Sequence, residues 1–337
     1  MMPVRVIGAG VAGLCTAYVL AHAGLQVELI ERMPQHGTGC SRFAGGMIAP
    51  WCELESAEPI VALLGQEALD FWVEDLAIAT RAGTLVVAPP RESAELIDFA
   101  QRTEQFKNLD THALGQLEPQ LRGRFDTALY FPQEAHLDPR KALNFLKQQL
   151  DKMSNVTQIY GVEASTLSPA EGWIIDCRGF VARDQLRHLR GVKGEMLILH
   201  SEEISLSRPV RMLHPRRPVY VVPRGAGYFM VGATMIENEE RARVTARSVV
   251  ELINSAFAIH PAFGEAEIVE TGSDVRPAFK DNLPRLIRRQ KTLYINGLYR
   301  HGFLLAPALA KRVARVLLED AFFPEVTNAN SGEWSSA

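Results

Sequence analysis

Cysteine is scarce in this chain of 337 residues: four occur, Cys15, Cys40, Cys52 and Cys177. None forms a CxxC pair, and no Cys/His cluster has metal-ligand spacing. A disulfide framework and a zinc module are excluded as readings, and no metal is expected. The thiols read as buried side chains in a reducing cytosol, so a cytoplasmic location is expected. Excess positive charge is also lacking. A net charge of −3 leaves no basic footprint for nucleic acid. No uninterrupted apolar run is long enough to span a bilayer, so no integral membrane segment is expected. The apolar stretch at 11–23 has no basic leader and runs on into a strand, so it reads as a buried helix rather than a signal peptide. Repeats are absent. So are His–carboxylate and Ser/His/Asp patterns that would supply a strong base or nucleophile.

What is present begins at the fourth residue. Val4–Ile7 is a short apolar strand. Gly8, Gly10 and Gly13 follow, residues 14–23 have helical apolar spacing, and 27–30 form a second strand ending at Glu31. This is the dinucleotide-binding βαβ pattern. Gly8 permits the tight turn, Gly10 lets backbone approach a pyrophosphate, and Gly13 lets helix and strand pack closely. Val11 and Ala12 open the helix, whose free N–H groups and positive dipole end face phosphate. Glu31 is expected to accept ribose hydroxyls and to repel a 2′-phosphate, which argues against NADP. The unit alone does not separate NAD from FAD.

Later segments favour FAD. After Arg32, the small residues Ala44, Gly45 and Gly46, followed by Met47, suit backbone lying against a flat ring. Ser41 is expected to cap a short helix aimed at phosphate. Residues 173–179 read as a strand ending in a glycine turn, with Cys177 and Gly179 at the cofactor. Thr292–Asn296 reads as a strand leading through Arg300, His301, Gly302, Phe303 and Leu304 to a helix starting at about Pro307, which suits a first turn. The head of that helix is expected to stabilise the negative charge of a reduced flavin.

Residues 219–222 and 228–233 are β-rich runs joined by a glycine-containing turn, and read as a hairpin. Alternation puts Tyr220 on the face opposite Val219 and Val221. Met235 lies just past the second strand, so it and Tyr220 either wall one cavity or simply pack in a core. Arg276 precedes Pro277, which biases it to extended backbone; its guanidinium suits two-point binding of a carboxylate. Arg208, Arg211, His214, Arg216 and Arg217 form a basic run, read as a solvated loop, with an anion-attracting entrance as the alternative.

These residues carry a resemblance over nearly the whole chain. The strings GAGVAGL at 8–14, AGGMIAP at 44–50, VYVVPR at 219–224, VGATM at 231–235, VRP at 275–277 and YRHGFLLAP at 299–307 are similar to those of the D-amino-acid oxidase family of FAD-dependent oxidoreductases. The thiamine-pathway glycine oxidases are the most similar members. The resemblance implies an α/β fold: a Rossmann-like FAD-binding domain with an interleaved α+β substrate domain built on an antiparallel sheet. The expected boundaries are 1–80, 136–200 and 270–330 for the first and 81–135 and 201–269 for the second, with a disordered tail at 331–337. It implies oxidation of glycine or another small amino acid to an imine, with O₂ as acceptor, and a homo-oligomer, often a tetramer; none of the four cysteines lies in the later substrate segments, so non-covalent FAD is expected. By position, Arg276 grips the substrate carboxylate, Tyr220 and Met235 line the pocket, and Arg300 is a second polar residue there. Direct hydride transfer, which needs orientation more than acid–base help, fits these residues. The alternatives are a D-amino acid or N-methyl amino acid oxidase or dehydrogenase of the same fold, an NAD-dependent dehydrogenase, and a silent flavin-binding scaffold.

Overall fold

Val4–Ile7 sits in the middle of a six-stranded sheet in the computed structural model, which describes residues 3–168, 170–215, 218–241 and 243–327. The expected tail at 331–337 lies outside the described residues. By internal packing the chain divides into two units: Met1–Ala44, Pro139–Val192 and Val275–Ala337 in the first, Gly45–Asp138 and Lys193–Asp274 in the second.

The sheet of the first unit runs in the order Arg285–Arg289, Thr292–Asn296, Ile174–Asp176, Val4–Ile7, Val27–Glu31, Val156–Tyr160. Every neighbouring pair is parallel except the first, a hairpin. Val6, Ile175, Leu29 and Leu293 are fully buried along it, as expected for parallel strands covered on both faces. Helix Val11–His22 packs against Gly302–Glu319 and Pro139–Asp151. Leu14, Cys15, Ala17 and Leu20 bury nearly its whole girth, so it has almost no polar face.

The last helix begins five residues before the expected start. It spans Gly302–Glu319 with Pro307 inside it. The Leu305 N–H already donates to the His301 carbonyl at 2.9 Å, so the helix is under way before the proline. Proline there forfeits only the bond that its N–H would have made to the Phe303 carbonyl.

The second unit holds a nine-stranded sheet. Its order is Ile236–Glu237, Arg190–His200, Tyr228–Gly232, Val219–Gly225, Val210–Met212, Thr84–Val87, Thr127–Phe131, Lys107–Asp110, with Glu267–Ala278 also pairing Arg190–His200. The hairpin has Tyr220 opposite Gly232. Val210–Met212 with Thr84–Val87 is a parallel pair in an otherwise antiparallel run. Leu252, Ala256 and Ile259 of helix Ala246–Ile259 join Val219, Val221, Phe229 and Val231 in one core.

Residues 45–80 cluster with this second unit, as do 136–138, 193–200 and 270–274. Local pairing explains the first two groups. Met47–Ile48 forms a two-stranded ribbon with Ala135–His136, and Thr80 bridges His136.

Candidate functional site

In the first unit the site is made mostly of backbone. Gly8 has a φ of +100°, which side chains rarely tolerate. A Cβ on Gly8 would stand 2.8 Å from the Cys177 carbonyl oxygen, and one on Gly13 only 1.7 Å from the Gly8 carbonyl oxygen. Strand, turn and helix are therefore locked together by absent side chains. The first intrahelical bond runs from Leu14 N–H to the Gly10 carbonyl, leaving the Ala12 and Gly13 N–H groups without a helical partner.

Ser41 stands at the same helix head. Its Oγ accepts the Val11 N–H at 3.1 Å. Its expected role differed: the turn it belongs to, Cys40–Phe43, has Gly39 as N-cap and no side-chain cap. Ser41 points back to the first helix because that helix opens on Gly10, which has no side chain to cap it.

Glu31 spans the turn. Its two carboxylate oxygens accept the Ala9 N–H at 2.7 Å and the Met33 N–H at 2.9 Å. Each oxygen keeps a further lone pair for a ribose hydroxyl. Arg32 is exposed, its guanidinium 3.9 Å from Glu163.

The second helix head arrives beside the first. A Cβ on Gly302 would meet the Val11 side chain at 3.3 Å, so the heads of Val11–His22 and Gly302–Glu319 converge. Two positive dipole ends there suit a pyrophosphate or a flavin anion. Leading into the second head, Tyr299 has a φ of +51°, and the Arg300 Nε donates to His301 Nε2 at 3.1 Å. His301, Phe303 and Leu304 are buried. The Tyr299 N–H donates to the Pro277 carbonyl at 3.0 Å. That bond sets Arg276, half-buried near the end of its strand, next to the Arg300 turn.

Cys177 and Gly179 complete the third side. The Cys177 N–H donates to the Ile7 carbonyl. Burial, then the Asp176 charge, pushes its thiol well above the usual range. Cys15 and Cys52 are shifted up by burial too, so the three buried thiols stay protonated and poorly suited to covalent attachment. Sequence reasoning missed Asn296. Its side-chain amide donates to the Gly179 carbonyl, and its Oδ1 accepts the Gly297 N–H, both at 2.9 Å. A buried asparagine at a strand end before a glycine was the available signal.

The second unit brings together residues from distant parts of the sequence. Tyr220 lies against Gly45: a Cβ there would stand 2.6 Å from the ring. A Cβ on Gly232 would stand 3.0 Å from the Tyr220 hydroxyl. Gly46 is paired by the Leu137 N–H at 2.8 Å, and Met47 by its strand partner His136. Met235 is 50% exposed in the loop after the hairpin. Thr234 anchors that loop: its Oγ1 accepts the Glu195 N–H at 2.9 Å, and its own N–H donates to the Glu195 carbonyl at 3.2 Å.

Two members of the basic run, Arg208 and Arg211, are not solvated, whereas half-buried His214 lies in a loop. Arg208 donates to fully buried Glu118 at 2.8 Å and to the Ala82 carbonyl at 2.7 Å. Arg211 pairs with Glu53 and Glu55 and covers the Phe99 ring. Arg211 sits in strand Val210–Met212 and Arg208 in the bend just before it, and a long side chain can lie along apolar surface there. Arg216 and Arg217 lie outside the described residues. Among the described residues no group of three or more His, Cys, Asp or Glu can hold a metal ion, and no helix is long and apolar enough to cross a membrane.

Comparison with known proteins agrees with the cradle. The family model for FAD dependent oxidoreductases (DAO) matches residues 4–316. A Rhizobium etli protein ascribed to thiamine biosynthesis as the oxidoreductase ThiO is 52% identical over 325 residues, covering 96% of this chain and 99% of its own. A glycine oxidase of Pseudomonas aeruginosa is 25% identical over 93% of this chain and 94% of its own. The solved glycine oxidase of Bacillus cereus ATCC 14579 shares the fold, with a TM-score of 0.81 at 20% identity over 96% of each chain. Two helix heads, a side-chain-free approach and an acid at the end of the second strand fit the cofactor named by the family. The chain belongs to the DAO family of FAD dependent oxidoreductases, and FAD is its cofactor.

Proposed function

We propose that this enzyme oxidises glycine and similarly small amino acids to the imine, with O₂ as electron acceptor and H₂O₂ as product. The imine either serves thiazole formation in thiamine biosynthesis or hydrolyses to glyoxylate and ammonia. The observation that carries this reading is the place of Arg276: extended before Pro277, tied through the Pro277 carbonyl to the Tyr299–Arg300 turn that opens the cofactor helix. A guanidinium there is the feature a carboxylate substrate needs. The names of the Rhizobium etli and Pseudomonas aeruginosa relatives support the same choice.

The chemistry that FAD would supply, when held by these residues, is two-electron oxidation of the substrate with reoxidation by O₂. The protein's part is orientation. Arg276 holds the carboxylate by two parallel hydrogen bonds, and Arg300 adds a second polar contact. Tyr220 and Met235 are the side chains assigned to face the substrate's small side chain. The helix heads at Val11 and Gly302 offer N–H groups to cofactor charge. The protein works as a cytoplasmic homo-oligomer.

Anaerobic mixing with glycine, D-alanine, D-proline and sarcosine, followed by admission of O₂, tests the reading. Bleaching near 450 nm, where oxidised flavins absorb, is expected with glycine, followed by return of colour with stoichiometric peroxide. Bleaching by D-proline or sarcosine alone would move the assignment to a D-amino acid or N-methyl amino acid oxidase. Bleaching that O₂ does not reverse would make the enzyme a dehydrogenase.

A further inference from the structure

The strap at 45–48 and the Tyr220 ring press on each other with no side chain between them. Gly45 has no room for a Cβ, which would lie 2.6 Å from Tyr220 Cε2 and 3.1 Å from Cζ. Gly232 is as close: a Cβ there would stand 3.0 Å from the Tyr220 hydroxyl and 3.1 Å from Cε2. Two glycines thus gauge the Cε2–hydroxyl edge of the ring, and its position follows that of the strap.

Backbone pairing holds one edge of the strap. Met47–Ile48 pairs with Ala135–His136, and the Leu137 N–H donates to the Gly46 carbonyl at 2.8 Å. A ribbon of two residues a side is marginal by itself. One side chain spans it. Arg224, half-buried at the end of the strand that carries Tyr220, donates from Nη2 to the Gly45 carbonyl at 2.9 Å and from Nη1 to the Leu137 carbonyl at 2.6 Å. The planar fork joins both arms of the ribbon to the tyrosine's own strand. Lysine has one compact head and does not reproduce that geometry.

We propose that Arg224 is a positioning residue: through the Gly45 and Leu137 carbonyls it holds the strap flat against Tyr220 and so sets the wall that the substrate meets. The role for substrate rests on the reading of Tyr220 given above; the role for the ring does not.

Holoenzyme labelled with 3-fluorotyrosine tests it, with the Tyr220 resonance assigned by Tyr220→Phe. In Arg224→Met and in Gly45→Ala the Tyr220 resonance shifts, while the other six of the seven tyrosines hold theirs. Arg224→Lys gives a smaller shift and keeps the test available if the Met variant does not fold. For glycine, Arg224→Met raises KM roughly tenfold, about one charge-assisted hydrogen bond, with kcat within about twofold. A residue with only a structural role lowers the melting temperature and leaves the resonance and KM of the folded enzyme alone; that result overturns the proposal. If no amine reduces the wild-type flavin, the functional reading falls, and the fluorine signal still decides whether Arg224 sets the ring.

Discussion

The two units solve the same problem with different materials. In the first, the candidate cofactor residues act through backbone: turns without side chains, free N–H groups at two helix heads, and one acid. In the second, the candidate side chains Tyr220 and Met235 stand on a framework that contains buried polar pairs. Arg208 meets Glu118, Lys193 meets Glu195 at 2.7 Å, and Glu134 takes the Cys52 N–H at 2.8 Å. A cradle of backbone tolerates no added atoms. A wall of side chains tolerates exchange but depends on charges kept out of water.

That contrast sets an order of effects. Gly13→Val should be the most damaging change, because its first atom alone falls 1.7 Å from the Gly8 carbonyl oxygen. Overpacking costs about 1–3 kcal/mol in a yielding core and more against rigid backbone. The variant should purify without flavin; a wild-type ratio of 450 to 280 nm absorbance would break the comparison. Arg276→Ala comes next, with kcat/KM for glycine falling by about 2–5 kcal/mol, or roughly thirty- to several-thousandfold. Bound flavin should be unchanged. Unaltered kinetics would remove Arg276 from the substrate.

A third test concerns pH in the second unit. Burial raises the Glu134 carboxyl from 4.5 to about 7, against hydrogen bonds from Cys52 and Thr84 that lower it. Burial lowers His136 from 6.5 to about 4, aided by the nearby Arg224 and Arg208 charges. The signs are opposite. Between 4.5 and about 7 the unfolded chain releases the Glu134 proton and the folded one keeps it, so stability falls as pH rises. Between about 4 and 6.5 the unfolded chain binds a proton at His136 and the folded one does not, so stability rises with pH. In the wild type the two slopes oppose each other. Glu134→Gln should uncover the rising slope below pH 6.5, and His136→Asn the falling one above pH 4.5. Denaturation midpoints across that range read both, and parallel curves for all three proteins would refute the burial of these groups.

Arg32→Ala should matter least. Its pair with Glu163 is exposed and 3.9 Å long, a class that contributes about 0–1 kcal/mol. A tenfold loss of FAD affinity would return Arg32 to the cradle.

The same contrast explains what was legible. Glycine spacing between apolar runs encodes a backbone cradle directly, so Gly8, Gly10, Gly13 and Glu31 could be read from the first line of sequence. The converging head at Gly302 was legible in place but not in extent, since Pro307 reads as a start where packing carries the helix through it. Resemblance pointed to Tyr220, whereas its contact with Gly45 depends on a register no local pattern records. The basic run misled because charge in sequence gives no hint of a buried partner ninety residues away, as Glu118 is from Arg208. Asn296, Glu134 and Arg224 act through hydrogen bonds to backbone, which leave no spacing of their own.

The strand order has a consequence for the protein as it is made. Val4–Ile7 emerges first, yet one flanking partner is Ile174–Asp176, and the strand beyond that, Thr292–Asn296, comes near the end. The head at Gly302 that lies against Val11 follows Gly13 by 289 residues. At the usual pace of translation, about 5–20 residues per second, Val27–Glu31 covers one edge of the central strand early, and the other edge stays open for roughly ten seconds or more until Ile174–Asp176 is made. The nascent chain therefore lacks the second helix head until late. Every strand of the second unit's sheet, Glu267–Ala278 included, precedes Gly302 in the chain. A chain cut short before Gly302 would carry its glycine turn with no second helix to close it.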